Sequence, residues 1–345
     1  MKTARRAVCL ATVVAAAGLA GCSNTDFAPV APADPPLAYA GLPLPPGAEL
    51  NPAGIIPSQE FTDDEDWPGS LAPDDATPEE RIPEIVARGR IIVGVDQSQY
   101  LLSYRDTTVG DLRGFEIDLA HEIARDIFGD PSKVDFRFVD SSRRLDALEN
   151  GGVDIIVRTM SITPDRAERA DFSTPYLTSS VRLFTPMNRQ IASLDEVSGK
   201  TVCIVDGSNL LDLARKVAPE SKILRTRSWA DCLMATQQYQ ADAVLADDAI
   251  LAGIYAQDPH SRVLNETYGT QSYAVGVAKG NDALVRQVNS TIERIRRDGT
   301  WSRMQNTWLR DALSSPSLPP GRYRQEPEPE EAATADGEKA RGGNQ

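Results

Sequence analysis

The segment Arg158-Thr159-Met160-Ser161-Ile162-Thr163-Pro164-Asp165-Arg166-Ala167-Glu168-Arg169-Ala170-Asp171-Phe172-Ser173-Thr174-Pro175-Tyr176 follows directly on Val153, Ile155, Ile156 and Val157. A β-branched run of this kind reads as a buried parallel strand, and such strands deliver binding residues at their carboxyl ends. Thr159 and Ser161, two residues apart, face one side of an extended chain, and Arg166 follows across a Thr-Pro turn. Hydroxyls and a guanidinium then lie within reach of one small anion. The same residues would also suit a surface loop in which Arg166 pairs with Asp165 or Asp171.

Working outward, strand-like and helix-like patterns alternate: Ile91–Val95, Phe115–Phe128, Val134–Val139, Arg143–Glu149 and Val153–Val157, then a second block after Tyr176. Alternation of this kind predicts βαβ units around parallel sheets. The helix over Phe115–Phe128 carries Leu119, Ile123, Ile127 and Phe128 at helical spacing and stops near Gly129 and Pro131. The patterned region holds roughly 230 residues, enough for two lobes, each with a core of its own.

Several pieces, in order, resemble a known family. Ser161-Ile162-Thr163-x-x-Arg166, Asp171-Phe172-Ser173-x-Pro175-Tyr176, Ile91–Asp96, Gly114–Ala120, Gly199–Val202, Ala241–Asp248 and Asp298–Trp301 look like the solute-binding proteins of polar amino-acid ABC importers (family 3). The nearest likeness is to the lipoproteins that bind glutamate, aspartate or glutamine, and it covers about residues 84 to 310. The resemblance implies an α/β, two-lobe periplasmic-binding-protein-like fold of type II, with parallel-type sheets and two hinge strands. We place the hinge near Arg182–Thr185 and Tyr273–Val277, giving a first lobe of 81–182 plus 278–313 and a second of 183–277. It further implies a monomer that is not an enzyme, takes an amino-acid ligand without a cofactor, and docks on an ABC permease. A module presenting ligand occupancy to a membrane sensor is a compatible alternative, and an enzyme on the same fold a third.

At the amino terminus, Lys2, Arg5 and Arg6 precede an apolar run, Ala7–Ala20, that is too short for a membrane span, so residues 1–21 read as a secretion signal. Leu19-Ala20-Gly21-Cys22 resembles a lipobox, implying cleavage before Cys22, its lipidation, and attachment to the outer face of the cytoplasmic membrane. The alternative is ordinary cleavage beside a chance cysteine. Residues 22–80 are rich in proline, hold twelve acids in the stretch up to Glu80, and contain no Lys or Arg before Arg81, so they are expected to form an extended tether. Those acids account for most of the net charge of −14, which is therefore no sign of a cationic ligand. Residues 314–345 are expected to be a disordered tail.

Other chemistries find little support. The two histidines, His121 and His260, lack metal-ligand spacing, and no nucleophile elbow, phosphate loop or basic stripe for nucleic acid is present. Cys203 and Cys232 fall in one lobe, and on compartment grounds a bridge is expected, closing a loop of about 30 residues for roughly 3–4 kcal/mol. Two small buried hydrophobes are the alternative.

A zwitterion is costly to bury unless each charge meets a partner with its hydrogen bonds completed. The resemblance implies Arg166 for the α-carboxylate, with Ser161 and main-chain N–H groups near Ser208 and Asn209 in support, and Asp247 for the ammonium, assisted by Ser161 and Thr159. At Asp206-Gly207-Ser208-Asn209 the chain departs from the family's usual turn. For the ligand side chain the candidates are Arg144, twenty-two positions before Arg166, then Asp96 as an amide acceptor, Tyr100 as an apolar wall, and Arg158 for a distal carboxylate. Arg144 would equally suit a solvent-facing pair with Glu149 or Asp140. Cys22→Ala is expected to abolish incorporation of labelled fatty acid; label still entering that variant would exclude this anchor.

Overall fold

The computed structural model describes residues 42–57, 61, 64, 66–310 and 318–326. The expected signal peptide, Cys22, the tether up to residue 41 and the tail from residue 327 lie outside the described residues.

The first lobe is built on a five-stranded sheet in the order Val134–Phe138, Ile91–Val95, Ile155–Ile156, Gly276–Ala278, Ala170–Phe172. The first three strands run parallel, with Ile91 opposite Val134 and Val93 opposite Ile155, and Gly276–Ala278 runs antiparallel to both of its neighbours. Helix Phe115–Phe128 covers one face, burying Phe115, Leu119, Ile123 and Ile127 at the spacing its sequence carries. Each such side chain contributes roughly 1.5–3 kcal/mol relative to exposure. The helix ends at Gly129, whose left-handed backbone turns the chain and lets its N–H return to the Arg125 carbonyl at 2.8 Å. Leu148, Val153, Ile156, Met160, Ile162 and Phe172 fill the other face.

The second lobe holds a seven-stranded sheet. Lys222–Thr226, Thr201–Val205 and Ala243–Asp247 are its parallel centre, and the long strand Leu177–Pro186 lies antiparallel beside them. Ser261–Val263 and Gly269–Tyr273 both pair with that strand. Cys203 of the sheet and Cys232 of helix Trp229–Gln237 form a disulfide with Cα atoms 5.7 Å apart.

The forward crossing lies earlier than expected. Leu177 already pairs with Tyr273 in the second sheet, so residues 177–182 belong to the second lobe and the chain crosses at Ser173–Tyr176. Leu177, Ser179, Val181 and Leu183 point inward with a strict period of two, which starts the strand just after Pro175 rather than at Arg182. The return, at Ala274–Val275, falls inside the expected Tyr273–Val277. The two crossings hold each other: the Tyr176 N–H donates to the Tyr273 carbonyl at 2.9 Å and the Ser173 N–H to the Val275 carbonyl at 3.0 Å. Trp301 clamps the first of them, its indole N–H donating to the Tyr176 carbonyl at 2.9 Å.

Two expectations of disorder need correcting. Glu49–Asn51, inside the expected tether, is an edge strand of the second sheet, with Glu49 opposite Arg225. Gly54 donates to the Pro219 carbonyl at 2.8 Å, and Gln240 holds the Pro43 carbonyl at 2.9 Å. Phe61 packs on Gly269, and Ser70 and Leu71 are then buried on the first lobe. The start of the expected tail lies there too: Arg322 pairs with Asp64 at 2.7 Å and stacks on Trp67, while the Ser70 N–H donates to the Arg322 carbonyl at 2.9 Å and the Ser70 carbonyl accepts from the Arg324 N–H at 2.8 Å. Composition argued for disorder because these segments have no core of their own. They order by borrowing apolar surface and an open sheet edge from the lobes.

Asn289 joins this wrap to the first lobe. Fully buried, it donates to Ser70 Oγ and the Leu71 carbonyl, each at 2.7 Å, and accepts from the Thr174 N–H at 2.8 Å. Asn289→Ala strands those partners, so urea unfolding is expected to show a loss of about 2–4 kcal/mol; a loss below about 0.5 kcal/mol would mean that the wrap adds nothing to the lobe.

Candidate functional site

Strand ends from both lobes meet at one small cavity, about 20 Å³, roughly the room one water needs. Nothing much larger than a water can enter unless the lobes separate. From the first lobe come Thr159 and Ser161, just past strand Ile155–Ile156, together with Ser141, Arg144 and Arg166. The second lobe supplies Ser208, Asn209 and Leu210 after strand Thr201–Val205, Trp229 at a helix start, Asp247 at a strand end, and Ile250. Parallel strands direct their carboxyl ends to one edge of each sheet, which is why segments this far apart in sequence converge.

The chemistry is that of crowded cations. Arg144 is the first residue of helix Arg144–Glu149 and donates to the carbonyls of Ser141, Arg158 and Thr159 at 3.0–3.2 Å. Arg166 sits in helix Pro164–Arg169, which Thr163 caps, and donates to the Ser161 carbonyl at 2.8 Å. Both guanidiniums also reach across the cleft to one oxygen, the Gly207 carbonyl, at 3.1 and 3.2 Å. Among the described residues neither has a carboxylate at ion-pair distance. Burial, with the Arg166 cation adding to it, holds the Arg144 guanidinium well below the usual arginine range. Burial also lowers Arg166, to about 10, against the opposing pull of Asp247.

Asp247 faces them from the second lobe. Gln271 Nε2 donates to its Oδ1 at 2.7 Å, and the Tyr273 hydroxyl donates to its Oδ2. Burial raises its carboxyl to about 7, with the Tyr273 hydrogen bond opposing the rise. Tyr273 stands at the return crossing, so one hydroxyl joins the hinge to the site.

Three expected site residues are elsewhere. Asp96 and Arg158 pair with each other, 0% and 1% exposed, and Asp96 also accepts from the main chain of Gln97 and Ser98. Ser141 Oγ takes a further Arg158 proton, so neither side chain is turned to the cavity. An isolated buried charge is expensive, and the two solve the problem for each other across 62 positions of sequence. Tyr100 is 36% exposed and stacks on Tyr104, away from the cavity.

Glu116 went unassigned, although the quoted Gly114–Ala120 piece contains it. It is fully buried in helix Phe115–Phe128, where burial pushes its carboxyl above the ordinary range. It accepts the Thr159 N–H at 2.6 Å and the Tyr176 hydroxyl at 2.5 Å. Thr159 has φ 38°, an uncommon backbone for a β-branched residue, and this bond holds it there. An acid immediately after the buried Phe115 was the readable signal.

A larger groove, about 690 Å³, is lined by Tyr100, Met187, Tyr255 and Trp308. Each of its three arginines has a partner of its own: Arg182 faces Asp248 at 3.6 Å, Arg262 donates to the Ile191 carbonyl, and Arg310 donates to Asn306 Oδ1 at 3.2 Å. In the smaller cavity two guanidiniums share a single carbonyl instead.

The sequence model of the bacterial extracellular solute-binding proteins, family 3, matches residues 91–311. The glutamine-binding protein of Geobacillus stearothermophilus is 33% identical over 240 residues, 69% of this chain and 91% of that protein. The ABC transporter glutamine-binding protein GlnH of Bacillus subtilis is 31% identical over 223 residues, 64% of this chain and 82% of that one. Among solved structures, the solute receptor for L-cysteine of Neisseria gonorrhoeae superposes with a TM-score of 0.64 at 26% identity, covering 69% of this chain and 96% of that one.

The raised Asp247 carboxyl makes stability depend on pH. The folded protein keeps a proton that the unfolded chain releases above about pH 4, so this residue's contribution is greatest at low pH, falls as pH rises towards 7, and is constant beyond. Asp247→Asn removes that fall. The stability difference, variant minus wild type, is expected to grow by up to about 4 kcal/mol between pH 4 and 7 in parallel denaturation series. A difference independent of pH would mean that Asp247 titrates in its ordinary range.

Proposed function

This chain belongs to the bacterial extracellular solute-binding proteins of family 3, and we propose that its cleft captures a polar amino acid, glutamate, aspartate or glutamine, by closing the lobes on it. Arg166 with Ser161 takes the α-carboxylate and Asp247 the ammonium. The observation that carries this reading is the pair of buried guanidiniums sharing one carbonyl, because two cations held by neutral acceptors make a strong demand for an anion. A carbonyl supplies only a fraction of the charge that a carboxylate brings.

Charge balance supports the acids over the amide. Two arginines face one carboxylate in the cavity; a zwitterion adds no net charge, whereas a side-chain carboxylate supplies the missing negative. Arg144 is our choice for that group. Asp96, spent on Arg158, drops out as an amide acceptor. A lipid on Cys22 would hold the protein at the outer face of the membrane, and the names of relatives such as the Bacillus subtilis protein favour delivery to an ABC permease. The cavity has one carboxylate and two arginines for binding, and we assign no turnover to it.

Calorimetry with the wild type and Arg144→Met tests the reading. The wild type is expected to bind glutamate and aspartate more tightly than glutamine and to return each ligand unchanged. The variant should lose about 1.5–3 kcal/mol for the acids but only about 0.5–1.5 kcal/mol for glutamine. Equal losses for acid and amide would remove Arg144 from selectivity.

A further inference from the structure

Beyond the ligand contacts, the two lobes meet through bare main chain. Gly253 lies within helix Asp248–Gln257 of the second lobe, which begins directly after Asp247 and whose Ile250 lines the cavity. A Cβ at Gly253 would stand 2.2 Å from the Tyr100 carbonyl oxygen and 3.1 Å from its carbon, both in the first lobe. That carbonyl has little room to yield. Leu101, the next residue, is left-handed at φ 71°, and its own carbonyl accepts from the Phe115 N–H at 2.9 Å. The turn is therefore fastened to the start of the first lobe's main helix.

A second glycine repeats the pattern, in the turn just before Ser208. Gly207 has φ 73°, and a Cβ there would come within 2.4 Å of the Ser142 Cα. Its carbonyl is the one that accepts from Arg144 and Arg166. Both glycines belong to the second lobe, and both meet first-lobe backbone rather than flexible side-chain ends.

We propose that Gly253 is a positioning residue for closure: the absent side chain lets the site-bearing helix seat against the Tyr100 carbonyl, which sets how near Asp247 can approach the two arginines. The inference rests on the reading that the cleft closes on an amino acid. Any side chain at this position holds the lobes apart without touching the ligand, so all ligands lose affinity in the same proportion.

Gly253→Ala is the test, since the position needs no left-handed backbone and alanine is the better helix former. Affinities for glutamate, aspartate and glutamine, the melting temperature of the free protein, and small-angle scattering at saturating ligand are measured together. The expected result is at least a tenfold weakening shared by all three ligands, faster dissociation, less compaction, and a melting temperature unchanged or higher. Gly253→Val should weaken binding further. Affinity within twofold of the wild type with full compaction, a loss confined to one ligand, or a lowered melting temperature would each overturn the proposal. If the wild type itself binds none of the three, it is the function reading that falls, and this inference with it.

Discussion

Two guanidiniums buried around one carbonyl oxygen are the constraint on which much of the structure depends. Arg144 and Arg166 both reach the Gly207 carbonyl from the opposite lobe, and their further bonds run to main-chain carbonyls of their own lobe, three for Arg144 and one for Arg166. Like charges this close repel, and desolvation removes the water that would screen them. The arrangement persists because it is held from behind. Arg158 is neutralised by Asp96, and Glu116 fixes the strained Thr159 whose carbonyl Arg144 uses.

The same network reaches the hinge. Tyr176, at the forward crossing, donates to Glu116 beneath the first-lobe half of the site; Tyr273, at the return, donates to Asp247 in the second. The crossings also bond to each other through main chain, Tyr176 N–H to the Tyr273 carbonyl and Ser173 N–H to the Val275 carbonyl, so the two tyrosines and the two carboxylates form one connected set.

Residues 42–57 on the second lobe, and 66–80 with 318–326 on the first, add a layer outside the family's matched region of 91–311. The strand Glu49–Asn51 covers an edge that would otherwise offer unpaired main chain to other molecules. On the first lobe the added layer is tied in by contacts such as Asn289 with Ser70, which complete hydrogen bonds inside the lobe rather than merely resting on it.

Local pattern was enough for the βα alternation, the helix over Phe115–Phe128, and the grouping of Thr159, Ser161 and Arg166 past one strand end; Ser208, Asn209 and Asp247 were expected only through the family resemblance, and all six line the one cavity. Arg144 was legible as a candidate but not as a buried cation held by four carbonyls. What only the tertiary structure decided were partnerships between distant residues and the ordering of segments without cores. Asp96 and Arg158 look like ligand groups one at a time, and only the fold brings them together and cancels them. The acidic, proline-rich stretch reads as disordered by its own composition, yet it orders where the lobes lend it a sheet edge and apolar surface. Local pattern records what a segment can do by itself; pairing energies depend on what lies across the fold, and no run of neighbouring residues contains that information.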